Sequence, residues 1–180
     1  MDSKRIVFSG SGGQGVITAA IILAEAAALY EGLNAVQTQV YGPEARGGAT
    51  RSDIVISEEP IHYPKVLNPH FLVCLTQEAY NKYAGLIRPG GLLLTDSHFA
   101  KLEPRIDARQ MGLPMYEAVM ERIGKPIVFN ICMLGAFIGL TRVVKIESVQ
   151  KVLETKIPSG FLEMNKQALE IGMVLTEKPH

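Results

Sequence analysis

Apolar residues fall in short unbroken runs over the first two thirds of the chain and at helical spacing over the last. Ile6-Val7-Phe8 is cut off by Ser9-Gly10-Ser11-Gly12-Gly13, after which residues 16–30 are dense in alanine, isoleucine and leucine. That order reads as strand, tight turn, helix. The helix carries only Glu25 and, at its end, Glu31, so burial round most of its circumference is expected, with Gly32 as its stop. Residues 35–41, rich in β-branched residues and ending before Gly42-Pro43, predict a second strand, and Ile54-Val55-Ile56 within 49–57 a third. Beyond the loop holding Pro60, Pro64 and Pro69, the run 71–75 reads as a buried strand. A polar helix over 77–84 and a strand over 92–95 follow, the latter introduced by Pro89-Gly90-Gly91. Residues 115–123, 130–140, 147–156 and 161–176 predict four helices. The alternation implies an α/β fold: a three-layer α/β/α sheet with a Rossmann-like first β-α unit and a helical C-terminal third.

Composition narrows the function classes. A length of 180 residues and 19.6 kDa suits one domain over 1–180. With 47% hydrophobic and 20% charged residues the chain is an ordinary folded protein rather than a disordered one. Lys+Arg and Asp+Glu both number 18, which leaves no surplus charge for general nucleic-acid or anionic-membrane binding. The two cysteines, Cys74 and Cys132, lie singly in apolar runs, too few to hold an iron–sulfur cluster or structural zinc alone. His62, His70, His98 and His180 have no metal-ligand spacing. No signal-peptide core follows the first residues and no apolar run reaches bilayer length, so a cytoplasmic location is expected.

Candidate chemistry centres on Gly10-Ser11-Gly12-Gly13-Gln14-Gly15, a Gly-x-Gly-x-x-Gly turn directly after the first strand and at the mouth of the first helix. Glycines there let the backbone turn sharply and approach a ligand, and the helix N-terminus offers unpaired N–H groups to an anion. The remainder of the dinucleotide fingerprint is missing. Where an acid should meet the ribose hydroxyls, the chain has Gln37, Thr38 and Gln39. No lysine follows the turn, so it is not a P-loop either. A turn needed only for close strand-to-helix packing remains the plain alternative. The segment from Tyr41 to Arg51 places Arg46 and Arg51 among small residues including Gly47 and Gly48, where guanidinium groups would be open to a carboxylate or phosphate, or to Glu44 across a subunit boundary. Asp96 ends a strand and reads as a turn residue or a ligand contact, and the following His98 lacks any nucleophile elbow that would indicate a serine hydrolase. Asn130 reads as an N-cap or first-turn residue.

Together, Gly10-Ser11-Gly12-Gly13-Gln14-Gly15 and Tyr41-Gly42-Pro43-Glu44-Ala45-Arg46-Gly47-Gly48 resemble the gamma subunit of the 2-oxoacid:ferredoxin oxidoreductases over almost the whole chain. The Tyr-Gly-Pro-Glu-Ala-Arg-Gly-Gly form, followed by Asp53-Ile54-Val55-Ile56 and Tyr63-Pro64, is most similar to the 2-oxoglutarate branch. The resemblance implies a multisubunit enzyme converting a 2-oxoacid and coenzyme A to acyl-CoA and carbon dioxide and reducing ferredoxin. Thiamine diphosphate, Mg2+ and [4Fe-4S] clusters are then expected in the alpha, beta and delta-type subunits, because this chain has no cysteine set and no thiamine-diphosphate motif. It further implies a docking role, no catalytic side chain of its own, and a coenzyme A phosphate site or subunit contact at Gly10 to Gly15, Arg46 and Gly47. A free-standing Rossmann-type nucleotide-binding enzyme and the small subunit of indolepyruvate oxidoreductase are the competing readings. In isolation the chain is expected to form a homodimer.

Overall fold

A computed structural model describes residues 3–40 and 48–177. Six strands, β1 (Lys4–Gly10), β2 (Asn34–Val40), β3 (Thr50–Ser57), β4 (Phe71–Cys74), β5 (Gly91–Asp96) and β6 (Ala108–Leu113), form one sheet in the order β2-β3-β1-β4-β5-β6. Between them run α1 (Val16–Glu25), continued by one π-helical turn (Ala26–Tyr30), and α2 (Gln77–Tyr83). The chain then adds α3 (Met115–Arg122), α4 (Phe129–Thr141), α5 (Ile146–Lys156) and α6 (Ser159–Leu175).

Successive strand residues point to opposite sides of a sheet, and here both sides are covered. Ile6, Phe8, Ile54, Ile56, Val73 and Leu94 enter the larger core beneath α1 and α3 to α6. Val7, Val55, Leu72, Cys74 and Leu93 face the smaller core made by α2 with Val66 and Ala100. That is why these strands read as unbroken apolar runs. Helix α4 is buried continuously from Phe129 to Ile138 because it lies between the sheet and α6. Its Phe137 meets Phe8 edge-on at 5.0 Å and Phe71 at 5.8 Å.

The three-layer expectation holds, and the Rossmann likeness is confined to β1, the glycine turn and α1. Strand β1 is parallel to β4 but antiparallel to β3, and β3 lies between β1 and β2. The end of β2 is therefore two strands from the turn, roughly 10 Å away. An acid there is in no position to serve a ligand on the turn, which accounts for its absence from the sequence. Thr50, at the start of β3, takes the place beside Gly10.

Other differences are local. Strand β6 escaped prediction because Ala-Arg-Gln-Met-Gly-Leu at a half-exposed sheet edge has no apolar run. The helix expected over 16–30 is α-helical only to Glu25. Glu31 accepts from the Lys145 N–H at 2.9 Å and from Ser148 Oγ at 2.5 Å, and Glu25 pairs with Lys156 at 2.9 Å. Both acids near the end of the first helix thus anchor α5. Gly32, at φ 67°, stops that helix as expected. Asn130 is a first-turn residue rather than a cap, since Val128 holds the N-cap of α4.

Candidate functional site

The turn after β1 lies at the carboxyl end of the parallel strands. There α1 departs to one face of the sheet and α2, capped by Thr76 Oγ1 accepting from the Ala79 N–H at 3.1 Å, departs to the other. Such a switch point opens a crevice in α/β sheets. Within the turn, the Ser11 N–H donates to Gln14 Oε1 at 2.8 Å and the Gln14 N–H to the Ser11 carbonyl at 3.3 Å, so the loop is braced by its own glutamine. Gly13 and Gly15 adopt φ 86° and 74°, the left-handed region that L side chains enter at a cost. Gly15 is the N-cap of α1, and no side chain among the described residues caps the helix. The N–H groups of the first turn therefore lack intrahelical partners. Among the described residues nothing lies within 4 Å of the point where a Cβ on Gly12 or Gly13 would stand.

The turn also forms one end of a groove of about 360 Å³. The short 3₁₀ turn Pro126–Val128 and the junction of α5 with α6 supply its other walls. Ile127 is 76% exposed and Phe161 57% exposed, an apolar rim with little covering it. Asn130, reaching from α4, donates from Nδ2 to the Gly15 carbonyl at 3.1 Å and so ties the base of the turn to a residue 115 positions away. Asn165 lines the same groove from α6.

Gly12 and Gly13 are exposed in the turn, Ser11, Gln14 and Gly15 are half-buried, and Gly10 is buried against Gln14, Val16 and Leu75, whereas Arg46 and Gly47 lie outside the described residues. Arg51 departs from the expectation. Its Nε and Nη2 hold Asp53 bidentately at 2.6 and 3.1 Å, Nη2 also reaches the Val66 carbonyl at 2.5 Å, and the guanidinium lies 5.5 Å from the Tyr83 ring centroid. Asp53 accepts the Val66 N–H at 2.9 Å as well. Arg51 is thus consumed by a buried internal pair, and small neighbours in sequence did not leave it open.

Asp96 is buried at the end of β5 and accepts the His98 N–H at 2.9 Å and the Tyr116 N–H at 2.8 Å, fastening α3 to the strand. Burial pushes its carboxyl above the usual carboxylate range, against the pull of the two N–H groups. His98 stacks on Tyr116 at 5.2 Å and lies 3.5 Å from Glu117 at the surface. Cys74 and Cys132 belong to different cores, and burial pushes both thiols up to about 12. Such thiols do not fit a cluster ligand set, which requires neighbouring thiolates. Among the described residues no group of three or more metal-ligating side chains occurs. No helix among them is long and apolar enough to cross a membrane.

Sequence reasoning missed the groove because its walls come from three distant segments. Asn165 carries no local signal, because Glu163, Lys166 and Gln167 surround it in α6 with other charged and polar residues.

Comparison with known proteins places this architecture. The profile of the pyruvate ferredoxin/flavodoxin oxidoreductase family matches residues 5–175. The chain is 48% identical to 2-oxoglutarate synthase subunit KorC of Methanocaldococcus jannaschii over 94% of its own length and 91% of that protein's. A solved gamma subunit of keto/oxoacid ferredoxin oxidoreductase from Geobacter sulfurreducens superposes with a TM-score of 0.91 at 38% identity, covering 98% of each chain. A 2-oxoglutarate:ferredoxin oxidoreductase from Magnetococcus marinus, with 2-oxoglutarate, coenzyme A and succinyl-CoA bound, has the same fold at a TM-score of 0.88. Its identity is 22%, over 100% of this chain and 32% of that one. The glycine turn, the sheet with its inserted antiparallel strand and the helical C-terminal third are those of a gamma-type chain, and the protein belongs to the pyruvate ferredoxin/flavodoxin oxidoreductase family.

Proposed function

We propose that this chain is the gamma subunit of an oxidoreductase that decarboxylates 2-oxoglutarate with coenzyme A and passes the electrons to ferredoxin, and that its glycine turn receives the pyrophosphate of coenzyme A. Support for the substrate comes from the similarity to the KorC subunits of 2-oxoglutarate synthases, 48% identical in one case and 42% in another. A single observation carries the phosphate site: among the described residues no side chain caps α1, and none stands within 4 Å of a Cβ placed on Gly12 or Gly13. Unpaired N–H groups and the positive end of the helix dipole suit an anion there.

Cys74 and Cys132 do not fit cluster ligands, and the chemistry of thiamine diphosphate and the clusters is assigned to partner subunits of alpha, beta and delta type. The part left to this chain is to complete the complex and to hold the nucleotide end of the acyl acceptor. Titrating coenzyme A against the reconstituted complex tests this. Gly13→Glu places a carboxylate over the helix N-terminus and is expected to raise the KM for coenzyme A at least tenfold with kcat little changed at saturation. An unchanged KM in an intact complex would remove coenzyme A from this chain and leave it a purely structural subunit.

A further inference from the structure

Residues 58–70 join β3 to β4 with no helix or strand of their own. Connections longer than roughly 12 residues without such structure are usually functional. Strands β3 and β4 lie on either side of β1, with Lys4 opposite Ile56 and Ile6 opposite Phe71, so the loop passes the start of β1, at the end of the sheet away from the glycine turn. The length of β1 separates the two ends by roughly 20 Å. The loop is held from within. Arg51 Nη2 donates to the Val66 carbonyl at 2.5 Å and the Val66 N–H donates to Asp53 Oδ2 at 2.9 Å, so the buried ion pair grips both backbone groups of one residue. The His70 N–H donates to the Arg5 carbonyl at 2.8 Å and the Arg5 N–H to His70 Nδ1 at 3.1 Å, which fixes the far end. A buried ion pair is a poor source of net stability, whereas as a bracket it gives the loop one conformation.

Between these anchors apolar and cationic side chains share one surface. Tyr63 and Leu67 are 60% and 63% exposed and line a groove of about 370 Å³. Arg5, His62 and Lys65, all exposed, line it too. Among the described residues no ion pair engages Arg5, Lys65, Lys4 or Arg88. Glu58 and Glu59 open the loop but do not line the groove, and the Glu58 carbonyl accepts from Asn34 Nδ2 at 3.0 Å, which ties that stretch to β2. Burial, together with Arg88, Arg5 and Lys4, holds the His70 imidazole below the usual histidine range. Positive charge is thus gathered at this end of a chain whose formal charges balance overall. We propose that the groove docks another subunit of the oxidoreductase, through a segment that sets Asp or Glu side chains around an apolar residue. The carboxylates meet Arg5 and Lys65, and the apolar residue lies against Tyr63 and Leu67. Unpaired cations around an apolar centre select an acidic partner. A second copy of this chain would bring the same cations face to face across a two-fold axis. The proposal rests on the reading of this chain as a subunit and is independent of the phosphate site.

Binding of the purified chain to the remaining subunits is measured by biolayer interferometry at low and high salt. The affinity of the unaltered chain is expected to fall as salt rises. Arg5→Glu with Lys65→Glu is expected to weaken binding about tenfold or more at low salt and to flatten the salt dependence, and Tyr63→Ser to weaken it about tenfold at both salts. Arg5→Lys with Lys65→Arg keeps the charge and should bind as the unaltered chain does. With excess chain to fill the complex, the KM for coenzyme A stays unchanged in all of them, because the glycine turn is at the other end of β1. Thermal melting followed by circular dichroism checks the fold; should the double reversal melt early, Lys65→Glu alone, on the exposed loop, is read in its place. Equal affinity of every variant at both salts would overturn the proposal. So would weakening by Tyr63→Ser with charge reversal silent, which denotes an uncharged partner surface, or an effect confined to self-association of the isolated chain, which denotes a second copy. Failure of the unaltered chain to bind the other subunits would refute its reading as a subunit, and the docking groove with it, before any variant is made.

Discussion

Gly13 and Gly15 form a matched pair that separates backbone strain from packing within one turn. Both have positive φ, 86° and 74°, so alanine at either position pays about 1–2 kcal/mol for the left-handed conformation. Alanine also restricts the unfolded chain, an effect that is the same at both positions and cancels in their difference. Their surroundings differ sharply. A Cβ on Gly13 meets nothing within 4 Å among the described residues, whereas one on Gly15 would stand 2.5 Å from Asn130 Nδ2 and 2.8 Å from its Cγ. Asn130 is buried and anchored in the first turn of α4, so its displacement costs about 1–3 kcal/mol of overpacking. It also sacrifices the bond to the Gly15 carbonyl. Gly15→Ala is therefore expected to be less stable than Gly13→Ala by about 1–3 kcal/mol, which for a chain of this size separates their melting temperatures by roughly 2–12 °C. Urea titration of the two purified variants, followed by far-UV circular dichroism, measures the gap directly. Equal losses would mean that Asn130 yields freely and that the tie between α4 and the turn contributes nothing.

Other outcomes follow from the two buried carboxylates. Arg51→Leu leaves Asp53, 1% exposed, with the Val66 N–H as its remaining partner among the described residues, and is expected to cost about 3–5 kcal/mol in chemical denaturation; a loss under about 1 kcal/mol would show that the pair is dispensable. Because burial raises the Asp96 carboxyl above its unfolded value, the native state holds that proton more tightly, and the stability linked to it is present at low pH and lost as pH rises through the folded pKa. The stability of Asp96→Asn relative to the native protein should accordingly increase from about pH 4 upward, and a difference that stays flat up to neutrality would contradict the burial argument.

How much of this was legible in the sequence depends on the distance over which each feature is decided. The strands with both faces buried announce themselves because neither face admits polar residues, and β6 does not because it lies at an edge with one side partly open. The Arg51–Asp53 pair was within reach, since residues two apart on a strand share a face, yet the small residues before Arg51 suggested exposure instead. What no local pattern shows is pairing order. The insertion of β3 between β1 and β2 is decided by contacts across the sheet, and it gives the missing ribose acid a physical meaning. The position where that acid stands in a dinucleotide site is here two strands from the turn, so its absence is a consequence of topology rather than the loss of one residue. Space released beside the turn is bounded by Asn130 and by the junction of α5 with α6.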